Sequence, residues 1–195
     1  VSQAKATVFE GEGTEMQFVE TAIAWAFIVE PDLREDGRGW FARTYCEDAF
    51  SAAGLNRVWP HCNASFNARK GTLRGLHWQA DPHWEIKLVR CVRGACVDVA
   101  VDLRRDSPTY LKTALVELSE GTGRAFYNPT GCAHGFQTTR DNTELFYQMG
   151  SPFVAGSARG LHWLDPAFAI QWPDPDNAIV SDKDAQLPIL ESALC

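Results

Sequence analysis

Apolar and polar positions alternate with a period of two through much of this chain. The clearest run sets Val97, Val99 and Val101 against Asp98, Ala100 and Asp102, the pattern of an extended strand whose side chains point to opposite faces in turn. Residues 22–29 form the longest apolar run and predict a second strand. Further short runs at 113–118, 124–127, 134–138 and 143–149 are broken by Gly, Pro, Asn and Asp, residues that punctuate sheets with turns. Pro31-Asp32 and Glu35-Asp36-Gly37 predict turns, and Arg93-Gly94 a hairpin. Helix is expected only around residues 47–53 and near the C-terminus. Many short strands with little helix predict a mainly β fold, a mostly antiparallel jelly roll with short helices near the C-terminus. Residues 1–195 read as a single domain, with the polar, glycine-containing residues 1–16 as a loose or partner-bound arm.

One face of a sheet in such a fold lines the lumen. If the aspartate face of residues 97–102 meets water, Asp98 and Asp102 need no explanation. If it faces the lumen, a buried carboxylate needs a partner, and a histidine is the obvious one.

Composition narrows the function classes. Seven tryptophans against two methionines point to rigid, shaped pockets. A net charge of −7 argues against a general nucleic-acid binder. It leaves room for a nucleotide ligand, because a few local arginines can hold a diphosphate on an acidic protein. The longest apolar run is too short to span a bilayer, so no membrane partner is expected. The six cysteines, Cys46, Cys62, Cys91, Cys96, Cys132 and Cys195, form no CxxC pair. They read as reduced thiols in a cytoplasm, the buried ones acting as small hydrophobes.

The richest chemistry lies in Gly71-Thr-Leu-Arg74-Gly75-Leu-His77-Trp-Gln79, followed by Lys87-Leu-Val-Arg90. In an extended span, His77 and a same-parity partner such as Lys87 project into one cavity. A neutral imidazole near a cation, beside an anion-binding arginine, suits proton abstraction from an acidic substrate. The structural alternative is a sheet edge guarded by charges.

These motifs carry a family resemblance. Arg38-Gly39, Asn63-Ala-Ser65, Arg74-Gly-Leu-His77, Lys87-Leu-Val-Arg90, Asp98-Val-Ala-Val-Asp102-Leu-Arg104 and Asp106-Ser-Pro-Thr109 resemble the dTDP-4-dehydrorhamnose 3,5-epimerases. So do Ala133-His-Gly-Phe136, Trp163-Leu-Asp-Pro166, Trp172-Pro173 and Ser181-Asp-Lys-Asp184, in the same order. The resemblance implies a cofactor-free, cupin-type jelly roll, usually a homodimer, that needs no metal. Its substrate is a nucleotide-linked 4-keto-6-deoxyhexose, whose carbons flanking the ketone are inverted. It implies His77 as the base, Asp184 as its orienting carboxylate, Lys87 on the enolate oxygen and Tyr147 as the opposite-face acid. His134 and Asp98 become a second polar pair near the sugar. Arg74 and Lys183 would hold the diphosphate, with Arg38 reaching in from a neighbouring subunit. Asn63, His61, Glu85 and Phe153 complete the expected substrate contacts. Asp102 and Arg104 read as structural.

The chain also departs from the family's usual pattern. Glu85 stands where glutamine is usual, Arg43 where glutamate is usual, and Phe153 where a second tyrosine is common. His61 replaces a common glutamine, and Ala158-Arg-Gly-Leu161 replaces an E-x-G-I pattern. One account of the first two is a relocated ion pair, with Arg43 meeting Glu85. Two rival functions stand beside the epimerase. A metal-dependent cupin would use His77, His83, Glu85 and His134, although such sites normally use two histidines one residue apart. A sugar-nucleotide-binding module without turnover would not need the intact His77, Lys87, Tyr147 and Asp184 set.

Overall fold

The computed structural model describes residues 6–7 and 16–193. Its strands begin with β1 (Ala6–Thr7), β2 (Met16–Glu20), β3 (Phe27–Pro31), β4 (Arg34–Asp36) and β5 (Gly39–Phe41). After α1 (Glu47–Ala52) come β6 (His61–Asn67), β7 (Leu73–Gln79), β8 (Lys87–Arg93) and β9 (Ala95–Asp102). Then follow β10 (Thr113–Ser119), β11 (Ala125–Asn128), β12 (Cys132–Thr138), β13 (Thr143–Met149) and β14 (Ala158–Gly160). Two short helices, α2 (Asp182–Ala185) and α3 (Leu190–Ala193), lie near the C-terminus. Apart from Ala6–Thr7 and Met16, the expected N-terminal arm lies outside the described residues, as does Cys195.

The strands build two antiparallel sheets of a jelly roll. One has seven strands in the order β1-β2-β3-β11-β8-β13-β6, the other five in the order β10-β9-β12-β7-β14. Between them pack Val89, Cys91, Phe126 and Leu145 from the first sheet with Cys96, Ala100, Val116 and Phe136 from the second. The outer faces are covered as well. Helix α1 lays Ala49 and Phe50 on Phe18, Phe27 and Tyr127. The 163–172 segment lays Trp163, Phe168 and Trp172 on Val99 and Val101. Burying a large side chain such as Phe50, fully enclosed here, stabilises by roughly 1.5–3 kcal/mol. Among the described residues, no helix is long and apolar enough to cross a membrane.

Strand β9 answers the question raised by its alternation. Its valines face outward beneath the tryptophans, and Cys96 and Ala100 face inward. Asp98 and Asp102, of the same parity, are both fully buried. Asp102 is satisfied by Arg104, Ser107 and Thr109, a structural knot at the end of the strand, as expected.

The apolar run at 22–29 is only partly a strand. Strand β3 starts at Phe27, and the preceding residues turn instead. Ala26 N–H bonds Ile23 O, the Thr21 hydroxyl bonds Ala26 O, and Trp25 sits at φ 69°. Apolarity marked the burial of Ile23 and Ala26, whereas the backbone follows the turn. The predicted turn near Gly37 is the tip of the β4–β5 hairpin, and Arg93-Gly94 joins β8 to β9 with Gly94 at φ 75°. The five described cysteines are free, with Cys91, Cys96 and Cys132 buried and Cys62 exposed.

Candidate active site

A cavity of about 490 Å³ opens between the sheets, lined by His77, Arg74, His134, Lys87, Tyr147, Asn63, Glu85, Phe153, Lys183 and Asp184. Sequence reasoning expected His77 and Lys87 on one extended span. The structure corrects this: residues 80–86 loop across, so β7 belongs to the five-stranded sheet and β8 to the seven-stranded one. The two side chains therefore reach the cavity from opposite walls.

Strand β7 owes its geometry to two glycines. A Cβ on Gly75 would lie 2.6 Å from Gly135 Cα, and one on Gly135 would lie 2.8 Å from Arg74 O. Strands β7 and β12 thus approach closer than side chains permit, with Gly75 at φ 121°. This contact sets His77 and His134 directly opposite each other in the ladder. The Gly75 N–H donates to Asp184 Oδ2 at 3.2 Å, which ties the C-terminal segment to the same spot. The segment is guided there by a parallel bridge between Thr72 and Ile179. Ser181 caps α2 by accepting the Asp184 N–H at 3.1 Å. Asp184, only 5% exposed, then places Oδ1 2.7 Å from His77 Nε2.

Burial holds the His77 imidazole below its ordinary value, reinforced by the nearby Lys87 and His134. Asp184 opposes this through its charge and hydrogen bond, without reversing it. The ring is therefore neutral near pH 7, and 41% of its side chain remains open. A neutral imidazole with one nitrogen fixed by a carboxylate is equipped as a general base.

On the opposite wall stand Lys87 and Tyr147. Lys87 Nζ lies 2.8 Å from Glu85 Oε1, both side chains being nearly buried, and it donates to His77 O at 3.3 Å. Glu85 thus meets Lys87, and the expected Arg43–Glu85 pair does not form. Arg43 is exposed, while Glu85 points inward two residues from a lysine whose buried ammonium requires an anion. Tyr147 packs edge-on against His134 with ring centroids 6.2 Å apart. Burial pushes its phenol well above the usual tyrosine value.

The second histidine–aspartate pair is real but enclosed. Asp98 Oδ1 lies 2.6 Å from His134 Nε2, yet both carboxylate oxygens and that nitrogen lack a properly aimed hydrogen bond. The contact is one of proximity. Asp98, fully buried behind His134, is outside the cavity lining; its expected role as a direct substrate contact is corrected to backing His134.

His61 is not brought into this cavity and is exposed at the end of edge strand β6. Arg38, expected to reach a neighbouring subunit, sits exposed at the β4–β5 turn, paired with Asp36. Of the departures, Glu85 and Phe153 line the cavity. Ala158 lines an adjoining pocket of about 270 Å³ that also shares His77, Glu85, Phe153 and Lys183. Sequence reasoning missed Ser65, which lines the cavity and bonds the Tyr147 hydroxyl at 3.2 Å. The Asn63-Ala-Ser65 motif and its period-two parity were the available signal. Among the described residues, no group of three or more His, Cys, Asp or Glu is arranged to hold a metal ion.

Comparison with known proteins gives a consistent picture. A family model described as dTDP-4-dehydrorhamnose 3,5-epimerase matches residues 20–192. The dTDP-4-dehydrorhamnose 3,5-epimerase of Sinorhizobium fredii is 41% identical over 176 residues, 90% of each chain. The crystal structure of the enzyme of that name from Elizabethkingia anophelis superposes with a TM-score of 0.87 at 35% identity, covering 91% of this chain and 98% of that one. A 4-keto-6-deoxy sugar epimerase from the novobiocin biosynthetic gene cluster of Streptomyces spheroides gives 0.86 at 33%, covering 95% and 93%.

Proposed function

The chain belongs to the dTDP-4-dehydrorhamnose 3,5-epimerase family, and from that premise we propose that it epimerises a nucleotide-linked 4-keto-6-deoxyhexose in deoxysugar biosynthesis. The observation that carries this reading is the facing of His77 and Tyr147 across one cavity, from opposite sheets, with Lys87 beside them.

The ketone of the substrate acidifies the C–H bonds next to it. His77 takes such a proton, and the C–H electrons move into an enolate whose oxygen is held by the Lys87 ammonium. With Nε2–H donated to Asp184, the lone pair at Nδ1 is the base, and the carboxylate steadies the imidazolium that forms. Tyr147 then returns a proton to the opposite face of the carbon, which inverts it. Arg74 and Lys183 hold the diphosphate. Asn63, Phe153, Glu85 and His134 contact the rest of the dTDP-sugar. The protein works as a cytoplasmic homodimer, in which Arg38, exposed on its hairpin, reaches the neighbour's cavity.

Proton NMR in D2O with a dTDP-linked 4-keto-6-deoxyhexose tests the reading. Signals at C3, C5 or both should vanish as deuterium enters, and couplings of the inverted sugar should grow in. No exchange at either carbon would overturn it. Tyr147→Phe should keep exchange and lose inversion, because the enolate can then be reprotonated only from the His77 face. Equal loss of both would reduce Tyr147 to shaping the cavity.

A further inference from the structure

A partly buried tyrosine that gives up a proton once per turnover has two needs beyond position. Its O–H must be aimed at the reacting carbon, and its phenolate must be reprotonated before the next cycle. Edge-on packing against His134, at an interplanar angle of 89°, fixes the plane of the Tyr147 ring and leaves the hydroxyl hydrogen free to rotate. Among the described residues, one group bonds that hydroxyl: Ser65 Oγ, at 3.2 Å.

The placement of Ser65 follows from register. Tyr147 is paired with Asn63 and Leu145 with Ser65 across β13 and β6. Ser65 is therefore the diagonal neighbour of Tyr147 on the cavity-facing side of the sheet. Strand β6 is the edge of the seven-stranded sheet. Ser65 is half-buried, while residues 61–64 and Phe66 are exposed. It thus stands beside the partly buried Tyr147 hydroxyl, on the strand nearest water. Burial pushes the Tyr147 phenol up, and the Ser65 hydroxyl is the largest influence pulling the other way, which is what a donor to a phenolate does.

Resting on the epimerase reading above, we propose that Ser65 is the positioning residue of the opposite-face acid, aiming the Tyr147 O–H and restoring its proton from solvent after each transfer. The Tyr147 O–H bond breaks as the new C–H bond forms. The phenolate takes the Ser65 hydroxyl proton while Ser65 Oγ takes one from a cavity water. The proton held by the His77 imidazolium leaves to solvent and neutralises the hydroxide. Each turnover therefore ends with every group in its starting state.

The test compares wild type, Ser65→Ala, Ser65→Cys and Ser65→Thr by deuterium exchange and by inversion of a dTDP-linked 4-keto-6-deoxyhexose. Exchange depends on His77 and should stay within about twofold in all four. Inversion should slow about tenfold or more in Ser65→Ala and comparably in Ser65→Cys, which keeps the volume but has a weak donor. Ser65→Thr, with its hydroxyl, should recover inversion to within a few-fold. A serine that only satisfies a partly buried hydroxyl would not split the two rates. Wild-type inversion in Ser65→Ala, a parallel fall of exchange and inversion, or no rescue by threonine would overturn the proposal. Such results leave the epimerase reading standing if wild type still exchanges; absence of exchange in wild type defeats both.

Discussion

Two histidine–aspartate pairs share this jelly roll at nearly the same separation, 2.7 Å for His77–Asp184 and 2.6 Å for His134–Asp98. Asp184 spreads its charge over two good donors, the Gly75 N–H and the His77 ring. Asp98 is fully buried, and neither of its oxygens has an aimed donor. The His77 ring is 41% open, the His134 side chain 6%. Distance alone therefore says little about what such a pair does. Access and hydrogen-bond direction separate a base ready to meet a substrate from a polar pair of which only the histidine reaches the cavity wall.

The sharpest way to break this comparison is to remove each histidine in turn. His77→Asn should abolish C–H exchange, a loss on the order of a hundred-fold or more, while nucleotide binding measured by calorimetry stays largely intact. His134→Ala should act mainly on stability, because Asp98 would be stranded in the interior at roughly 3–5 kcal/mol. Urea unfolding reads that cost. An intact exchange rate in His77→Asn, or an undisturbed midpoint in His134→Ala, would reverse the roles assigned here.

A pH profile sharpens the comparison further. Burial depresses the His77 value, so the acid limb of kcat/KM should fall below pH 6.5. Asp184 pulls the value upward, so Asp184→Asn should move that limb lower still. The effect on folding has the same origin. Below pH 6.5 the unfolded chain binds the proton more readily than the folded one, so stability from this group is present above that pH and lost as pH falls. An acid limb above pH 6.5 would contradict a base held below its ordinary value.

The smallest effect concerns the coupling between Arg43 and Glu85. Since it pairs with Lys87 and not with Arg43, Arg43→Gln and Glu85→Gln should be additive within about 0.5 kcal/mol. Arg43→Gln alone should be nearly silent, as expected of an exposed charge. Strong coupling between the two in a double-mutant cycle would restore the pair that the structure replaces.

Much of the site was legible because its chemistry is carried by short motifs at strand positions. His77, Lys87, Tyr147 and Asp184 all line the cavity, as the family resemblance implied. Residues whose role depends on strands distant in sequence were harder to read. Ser65 acquires its place only when β6 pairs with β13, and Asp98 is removed from the cavity only because His134 stands in front of it. The Arg43–Glu85 expectation failed for a related reason: a pairing argument from changed charges had no information about which residue points inward.

What the chain determines by itself is periodicity, turn chemistry and the kinds of reactive group available. A period of two fixes which side chains share a face. Periodicity is symmetric, however, and cannot say which face is interior. In β9 the valines face outward and the aspartates inward, because the 163–172 segment covers the one and the seven-stranded sheet covers the other. That choice, like the meeting of His77 with Asp184 across 107 positions of sequence, belongs to the tertiary structure, where burial is decided by what packs on each face and not by the strand alone.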